Sequence, residues 1–201
     1  MCGDPGPANQ ERKLRMRHKA DDAQEHETHQ VAVMKMKKAI DYMPPGAGTS
    51  SMWVMGELLT YKIPSQRTGG AYALFEVATQ PGAGPPPHVQ HREDESFYVL
   101  EGEYEFLIEG RTLRATVGSL LYIPKGTLHA HKNIGLGMGK MLVTQTPGGL
   151  YERFFEEVGK PVEGEAGTLV EEARLNSKTI AAIGVEYGIE IPLRVAQRGR
   201  A

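Results

Sequence analysis

The stretch "GPPPHVQHREDESFYVLEG", residues 84–102, decides the fold. It opens with a glycine and prolines. A segment with two histidines follows, then a polar turn, and then an apolar run that ends in glycine. Residues two apart in a strand share a face, so His88 and Gln90 point one way and His91 points the other. A solvated turn through the polar residues after His91 brings Glu95 from the next strand to the same place. The stretch therefore predicts two strands that share a polar cluster.

Downstream, the chain continues as short strands. The runs "EYEFLIEG" (103–110) and "TLRATV" (112–117) alternate apolar and polar residues, which is the period of a half-buried strand. We expect the apolar residues of both runs to face a core: Tyr104, Phe106, Ile108, Leu113, Ala115 and Val117. Glycine or proline separates these runs from further short ones, and this spacing predicts a sandwich or barrel.

After residue 148 the period becomes helical. Apolar residues recur at helical spacing in two segments, 150–158 and 176–188, and we predict a helix in each. These helices either pack on the barrel or a partner subunit, or form a lid over a pocket. The sequence thus divides into a polar tail expected to be disordered (1–48), a barrel (49–148), a helical extension (149–195) and a short tail (196–201).

Composition excludes several classes of protein. The chain has 201 residues, a net charge of −2 and 40% hydrophobic residues, which suits a globular domain without the basic surface of a nucleic-acid-binding protein. Its apolar runs are far shorter than the ~18 residues that a membrane helix needs. A single cysteine, Cys2, allows no internal disulfide. We expect a cytoplasmic protein with no nucleic-acid or membrane partner.

A second histidine segment, "GSLLYIPKGTLHAHKN" (118–133), places His129 and His131 on one face of a strand that follows a Pro-Gly turn. The two segments read G-x5-H-x-Q-x4-E-x6-G and G-x5-P-x-G-x2-H-x3-N. Together they resemble the two motifs of the cupin superfamily. The likeness extends over about residues 50–192, where the chain looks similar to the quercetin 2,3-dioxygenase-like, single-domain branch.

This resemblance implies an all-β fold, the double-stranded β-helix or cupin jelly-roll barrel, here with C-terminal helices. It also implies one divalent metal ion (Fe, Mn, Ni, Co or Zn) inside the barrel, at positions corresponding to His88, Gln90, Glu95 and His129. Gln90 departs from the family's histidine. Its amide oxygen could ligate more weakly, it could hydrogen-bond a ligand, or the site could be losing its metal. His91 could replace it only if the strand slipped by one residue.

Three functions follow from this resemblance as hypotheses. The first is a dioxygenase acting with O2 on a flavonol-like or other enolisable aromatic molecule, with Glu95 as the catalytic base. The second is a lyase, isomerase or hydrolase that uses the metal only as a Lewis acid, and the third is a non-catalytic binding or structural cupin. We expect the substrate pocket, or else plain core, to include four residues: Phe97, Tyr104, Phe106 and His131. We also expect a homodimer, with "SMWVMGELL" (51–59) either reaching a partner or covering its own barrel.

Overall fold

The structure, a computed structural model, describes residues 42–162 and 176–192. Three predicted segments lie wholly or partly outside these ranges: residues 1–41 of the tail at 1–48, residues 163–175 and 193–195 of the extension, and the whole tail at 196–201. Within the described residues, no helix is both long enough and apolar enough to cross a membrane.

Short strands are the main secondary structure of the described residues. They are β1 (Ser51–Val54), β2 (Glu57–Ile63), β3 (Ala73–Thr79), β4 (His88–Gln90), β5 (Asp94–Glu101), β6 (Glu103–Ile108), β7 (Arg111–Thr116), β8 (Leu120–Ile123), β9 (Leu128–Asn133), β10 (Gly139–Thr146), β11 (Lys160–Pro161) and β12 (Ile189–Glu190). The helices are α1 (Leu150–Val158) and α2 (Ser177–Glu186), and a 3-10 turn spans Ser65–Thr68.

The strands form two antiparallel sheets. One has the order β11-β1-β2-β3-β10-β5-β8, and the other has the order β12-β4-β9-β6-β7. Two facing antiparallel sheets with crossed connections are the architecture of a jelly roll, which confirms the predicted fold class. The short strands β11 and β12, which lie within the helical extension, add an edge to each sheet.

Alternating side chains build the core between the sheets. Tyr104 and Phe106 are fully buried, as their period-two pattern predicts. The prediction was wrong for Leu113 and Val117, which are 51% and 63% exposed while Ala115 is buried. The strand β7 lies at the edge of its sheet, where it pairs with β6 alone among the described strands. Of its six residues only Ala115 is buried, and Val117 lies in the turn after the strand.

Both predicted helices form, and both pack on the barrel. Tyr151, Phe154 and Phe155 of α1 are buried, and the ring of Phe155 meets Phe75 edge to face at 5.7 Å. The helix α2 is capped by Asn176, whose side chain accepts a hydrogen bond from the Thr179 amide. The segment at 51–59 pairs within its own sheet and covers its own barrel. The homodimer stays a prediction.

Candidate metal centre

Three side chains from three strands converge inside the barrel. His88 on β4 pairs in register with His129 on β9, and Glu95 reaches them from β5 in the facing sheet. One ligand atom from each lies within 4.8 Å of the others. All three residues are at most 5% exposed. These residues, called the triad below, could hold a metal ion.

The backbone fixes the orientation of both histidine rings. His88 Nδ1 lies 2.9 Å from the carbonyl oxygen of Pro86, and His129 Nδ1 lies 3.0 Å from that of Thr127. A carbonyl oxygen only accepts hydrogen bonds, so Nδ1 of each ring carries a proton and donates it. In a neutral ring, Nε2 then keeps its lone pair. This is the arrangement in which metal-binding histidines are commonly held.

Glu95 is the acidic member of the triad. Its Oε2 lies 2.9 Å from His129 Nε2, and its Oε1 accepts a hydrogen bond from Gln145 Nε2 at 3.2 Å. Burial raises the pKa of Glu95, but the hydrogen bond and charge of His129 outweigh burial and hold this pKa below its ordinary value. Burial lowers the pKa of His129, and Glu95 outweighs it in turn and raises that pKa. Without a metal ion, the two groups form a buried ion pair.

His88 is the neutral member. Burial, reinforced by the neighbouring His129, lowers the pKa of His88 to about 4. The ring is therefore uncharged at neutral pH, and its Nε2 lone pair is free of a competing proton. Two imidazoles and one carboxylate form a donor set that suits a divalent transition metal and leaves coordination positions open for a substrate.

Gln90 is buried beside the triad and is 1% exposed. Its amide lies near Glu95 and Tyr151, yet among the described residues neither its oxygen nor its nitrogen completes a hydrogen bond of normal geometry. A buried amide left unpaired in this way fits a role as an additional ligand. That role stays a prediction. His91 lies on the surface, 3.1 Å from Glu190, and β4 keeps the register that pairs His88 with His129.

The turn before β5 differs from the prediction at one residue. We expected this turn to be solvated throughout, and His91 and Arg92 are exposed, but Glu93 is 1% exposed. Its side chain turns inward, where burial and the nearby Glu95 raise its pKa to about 7. Among the described residues, its two carboxyl oxygens have no hydrogen-bond partner.

A small cavity adjoins the triad. His88 and Glu95 line it together with Phe97 and His131, two of the four predicted pocket residues. Tyr104 and Phe106, the other two, are fully buried in the core, with ring centres 6.0 and 5.6 Å from that of His131. The cavity gives water-sized molecules ≈ 30 Å³ of space, room for about two of them.

Sequence reasoning missed three residues near this cavity. Glu57 on β2 and Gln145 on β10 occupy inward positions of alternating strands, and the period-two pattern could have identified both. Tyr151 of α1 also lines the cavity, and burial raises the pKa of its hydroxyl well above the ordinary value. The helical stripe through Phe154 and Phe155 predicts burial of this face, but it does not indicate what the helix covers.

Glu57 belongs to a second polar group in the cavity wall. Its Oε1 accepts hydrogen bonds from Thr79 Oγ1 at 2.7 Å and from His131 Nε2 at 2.8 Å. The hydroxyl of Tyr104 donates to Thr79 Oγ1 at 3.2 Å. All four side chains are buried. The triad therefore shares its cavity with a second histidine–carboxylate pair, called the Glu57–His131 pair below.

Known proteins match this chain over its barrel. The family described as Cupin domain matches residues 75–144. Quercetin 2,3-dioxygenase from Bacillus subtilis (strain 168) is 27% identical over 119 residues, which are 59% of this chain and 35% of that protein. Germin-like protein subfamily 2 member 2 from Arabidopsis thaliana is 34% identical over 95 residues, which are 43% of each chain. The matches thus span less than half the length of these relatives.

A solved structure shows the same fold. The crystal structure of a predicted oxalate decarboxylase from Thermotoga maritima superposes with a TM-score of 0.50 and 17% identity, and the match covers 54% of this chain and 99% of that one. The family match and this superposition agree with the two sheets and with the two motifs that meet in the barrel. The barrel region matched by the family, residues 75–144, is therefore a cupin domain with the jelly-roll fold.

Proposed function

We propose that this protein is a metal-dependent enzyme, a dioxygenase resembling quercetin 2,3-dioxygenase that acts on a flavonol-like or other enolisable aromatic small molecule. The convergence of the triad carries this proposal. His88, Glu95 and His129 bring their ligand atoms within 4.8 Å of one another in a buried cavity. The partial match to the Bacillus subtilis dioxygenase supports the choice of reaction.

The triad would hold the ion, with Gln90 as an additional ligand. When bound, a divalent transition metal supplies a Lewis-acidic centre with open positions and, where it is redox-active, electrons for reaction with O2. Glu95 takes the proton of the substrate hydroxyl on Oε2, the atom that now faces His129 Nε2. Gln145 holds the other carboxyl oxygen, Oε1, and so orients this base.

The cavity walls limit the access of water to the reacting atoms. Phe97, Val143 and Phe155 give the cavity apolar sides. The cavity has room for about two water molecules, far fewer than a flavonol displaces, so entry of a flavonol requires part of the wall to move. Tyr151 and Phe155 of α1 and Met55 of the β1–β2 turn belong to the part of the wall that lies outside the two motif segments.

Oxygen consumption tests the proposal. Purified protein supplied in turn with iron, manganese, cobalt and nickel should take up O2 when a flavonol is added. His88→Ala and His129→Ala should abolish this uptake. His91→Ala is the matched control, because it removes an exposed histidine from the same segment and should leave the rate unchanged. No uptake with any of the four metals would sink the dioxygenase proposal.

The small size of the cavity favours a second candidate function. A lyase or isomerase acting on a smaller, more polar substrate would fit the available ≈ 30 Å³ more closely, and the Glu57–His131 pair adds polar groups to the wall. Such an enzyme would use the metal only as a Lewis acid. Its activity would persist without O2 and with redox-inert zinc, and a strict need for O2 would exclude it.

A further inference from the structure

The strand β4, which carries His88 and Gln90, is only three residues long. On one side it pairs with β9 through two residue pairs, one of which joins His88 to His129. Gln90 lies beyond both pairs, and its partner is on the other side, where Ile189 of β12 stands opposite it. Because two short strands are marginally stable by themselves, the second neighbour of β4 matters for the position of its side chains.

The turn that follows β4 is held by the same C-terminal segment. The amide of His91 donates a hydrogen bond to the carbonyl oxygen of Gly188 at 2.9 Å. Gly188 has a φ of +78°, and a Cβ at this position would lie 2.9 Å from Cδ of Arg92. Both the positive φ and the close approach of Arg92 favour glycine here. The backbone on either side of Gln90 is thus bound to β12 and to the glycine before it.

The strand β12 is itself anchored in the hydrophobic core. Ile189 is fully buried and belongs to the core cluster. A Cβ on Gly184 would lie 2.9 Å from the carbonyl oxygen of Ile189, so the end of α2 packs directly on the strand. The ring of Tyr187, which follows α2, lies 6.1 Å from the ring of Phe154 in α1. The position of β12 therefore depends on docking of the whole segment 177–190.

The residues that support β4 in this way lie outside the segment that matches the cupin family. That segment ends at residue 144, whereas α2 and β12 span Ser177–Glu186 and Ile189–Glu190. In the described part of the chain, β12 is the edge strand of its sheet, and without it β4 would become that edge. A strand at an edge lacks half of its backbone partners and opens more readily.

We propose that Ile189 is a positioning residue for the metal centre. By anchoring β12 against β4, it holds the backbone of Gln90 and of the nearby His88, so metal affinity depends on docking of segment 177–190. Because a coupling between two equilibria is reciprocal, a metal ion at the triad should also stabilise the docked segment. The inference rests on the proposed function in one respect, which is that the triad binds a metal ion.

Zinc titration of the full chain measures this coupling. Ile189→Ala shortens the anchor and should weaken zinc binding about tenfold, as expected when a contact that supports a ligand is lost. Ile189→Val keeps most of the anchor and should restore zinc affinity. Met141→Ala is the matched control, because Met141 is equally buried in the same core but does not line the cavity. It should lose stability comparably and bind zinc as the unchanged protein does.

Amide hydrogen exchange tests the reciprocal effect on the unchanged protein, where no substitution can prevent folding. The reporter is the amide of His91, whose hydrogen bond to Gly188 breaks when the segment undocks. Zinc should slow its exchange about tenfold, within the usual range of such couplings. The amide of Val162 is the control, since it donates to Ser51 at 3.0 Å in the other sheet, beside a strand that carries no predicted ligand. Its exchange should not respond to zinc.

The outcomes separate failure of this inference from failure of the proposed function. Where the unchanged protein binds stoichiometric zinc, equal affinity in Ile189→Ala overturns the role of Ile189, and so does exchange at His91 that zinc leaves unchanged. An equal loss of affinity in Met141→Ala would assign the effect to stability alone and overturn it as well. Absence of zinc binding in the unchanged protein refutes the metal centre itself, and the role of Ile189 with it. Should Ile189→Ala not fold, exchange at His91 in the unchanged protein decides.

Discussion

Two histidines on one face of β9 each meet a buried glutamate, at 2.9 Å for His129 and Glu95 and at 2.8 Å for His131 and Glu57. What distinguishes them is the second ring nitrogen. His129 Nδ1 donates to the Thr127 carbonyl, whereas His131 Nδ1 has no partner in the described part of the chain. The Thr127 carbonyl thus fixes the His129 ring, and among the described residues His129 belongs to a group of three possible metal ligands, whereas His131 does not. The histidine–carboxylate distance alone does not identify a metal ligand; a third ligating side chain within reach distinguishes the candidate site.

The largest expected effect separates the two histidines directly. His129→Ala should weaken metal binding at least about 100-fold, more than the loss of an outer-shell partner usually does, because it removes a ligand from a site with three. His131→Ala should leave metal binding near the level of the unchanged protein. Metal titration followed by elemental analysis measures both variants. An equal loss of metal affinity in the two variants would show that both histidines bind the metal, and the distinction between His129 and His131 would be wrong.

A second change tests whether Glu57 is a structural partner of His131. Glu57→Leu leaves the Thr79 hydroxyl and the His131 Nε2–H buried without an acceptor, which should lower the free energy of unfolding by about 2 kcal/mol. Glu57→Gln keeps an acceptor oxygen and should cost less than about 1 kcal/mol. Denaturant unfolding of the metal-free protein gives both values. Equal costs would mean that the hydrogen bonds contribute nothing beyond packing.

Gln90→His tests whether position 90 faces the metal beside the triad. If position 90 faces the metal, replacing an unpaired amide with an imidazole should tighten binding about tenfold, since imidazole is the better donor to late transition metals. Gln66→His, at an exposed position in the 3-10 turn, is the matched control and should change nothing. Weaker binding in Gln90→His would indicate that Gln90 supports a ligand instead of acting as one.

The smallest effect is expected at His91, two residues from Glu93 and next to Gln90 but on the outer face of the barrel. His91→Ala removes an ion pair with Glu190 whose side chains are 51% and 61% exposed, so stability should change by less than about 0.5 kcal/mol. Metal content should not change. A drop in metal content would mean that β4 shifts its register in solution and brings His91 inward.

Much of the fold and the triad could be predicted from sequence, because both depend on short-range patterns. Period-two alternation identifies the strands, and Tyr104 and Phe106 are buried as that pattern requires. The two motifs bring His88, Glu95 and His129 together once the fold is known. The same alternation misplaced Leu113, because an edge strand has a period of two whether or not another layer covers it.

The cavity wall was harder to predict. Glu57 lies 74 residues from His131 in the chain, so nothing local to either residue indicates that they meet. Tyr151 reaches the cavity only because α1 folds back over the barrel. Glu93 looks like part of a solvated turn, and only the path of the chain into β5 turns it inward.

The sequence by itself determined the strand pattern, the helices and the local frame of each histidine, since the carbonyls of Pro86 and Thr127 lie two residues before the rings that they orient. Only the tertiary structure decided which glutamate each histidine meets. That choice depends on the packing of one sheet against the other, which brings β2 and β5 opposite β9 across the core. The protonation state of a buried side chain depends on such distant neighbours, because burial removes the water that would otherwise screen their interaction with it.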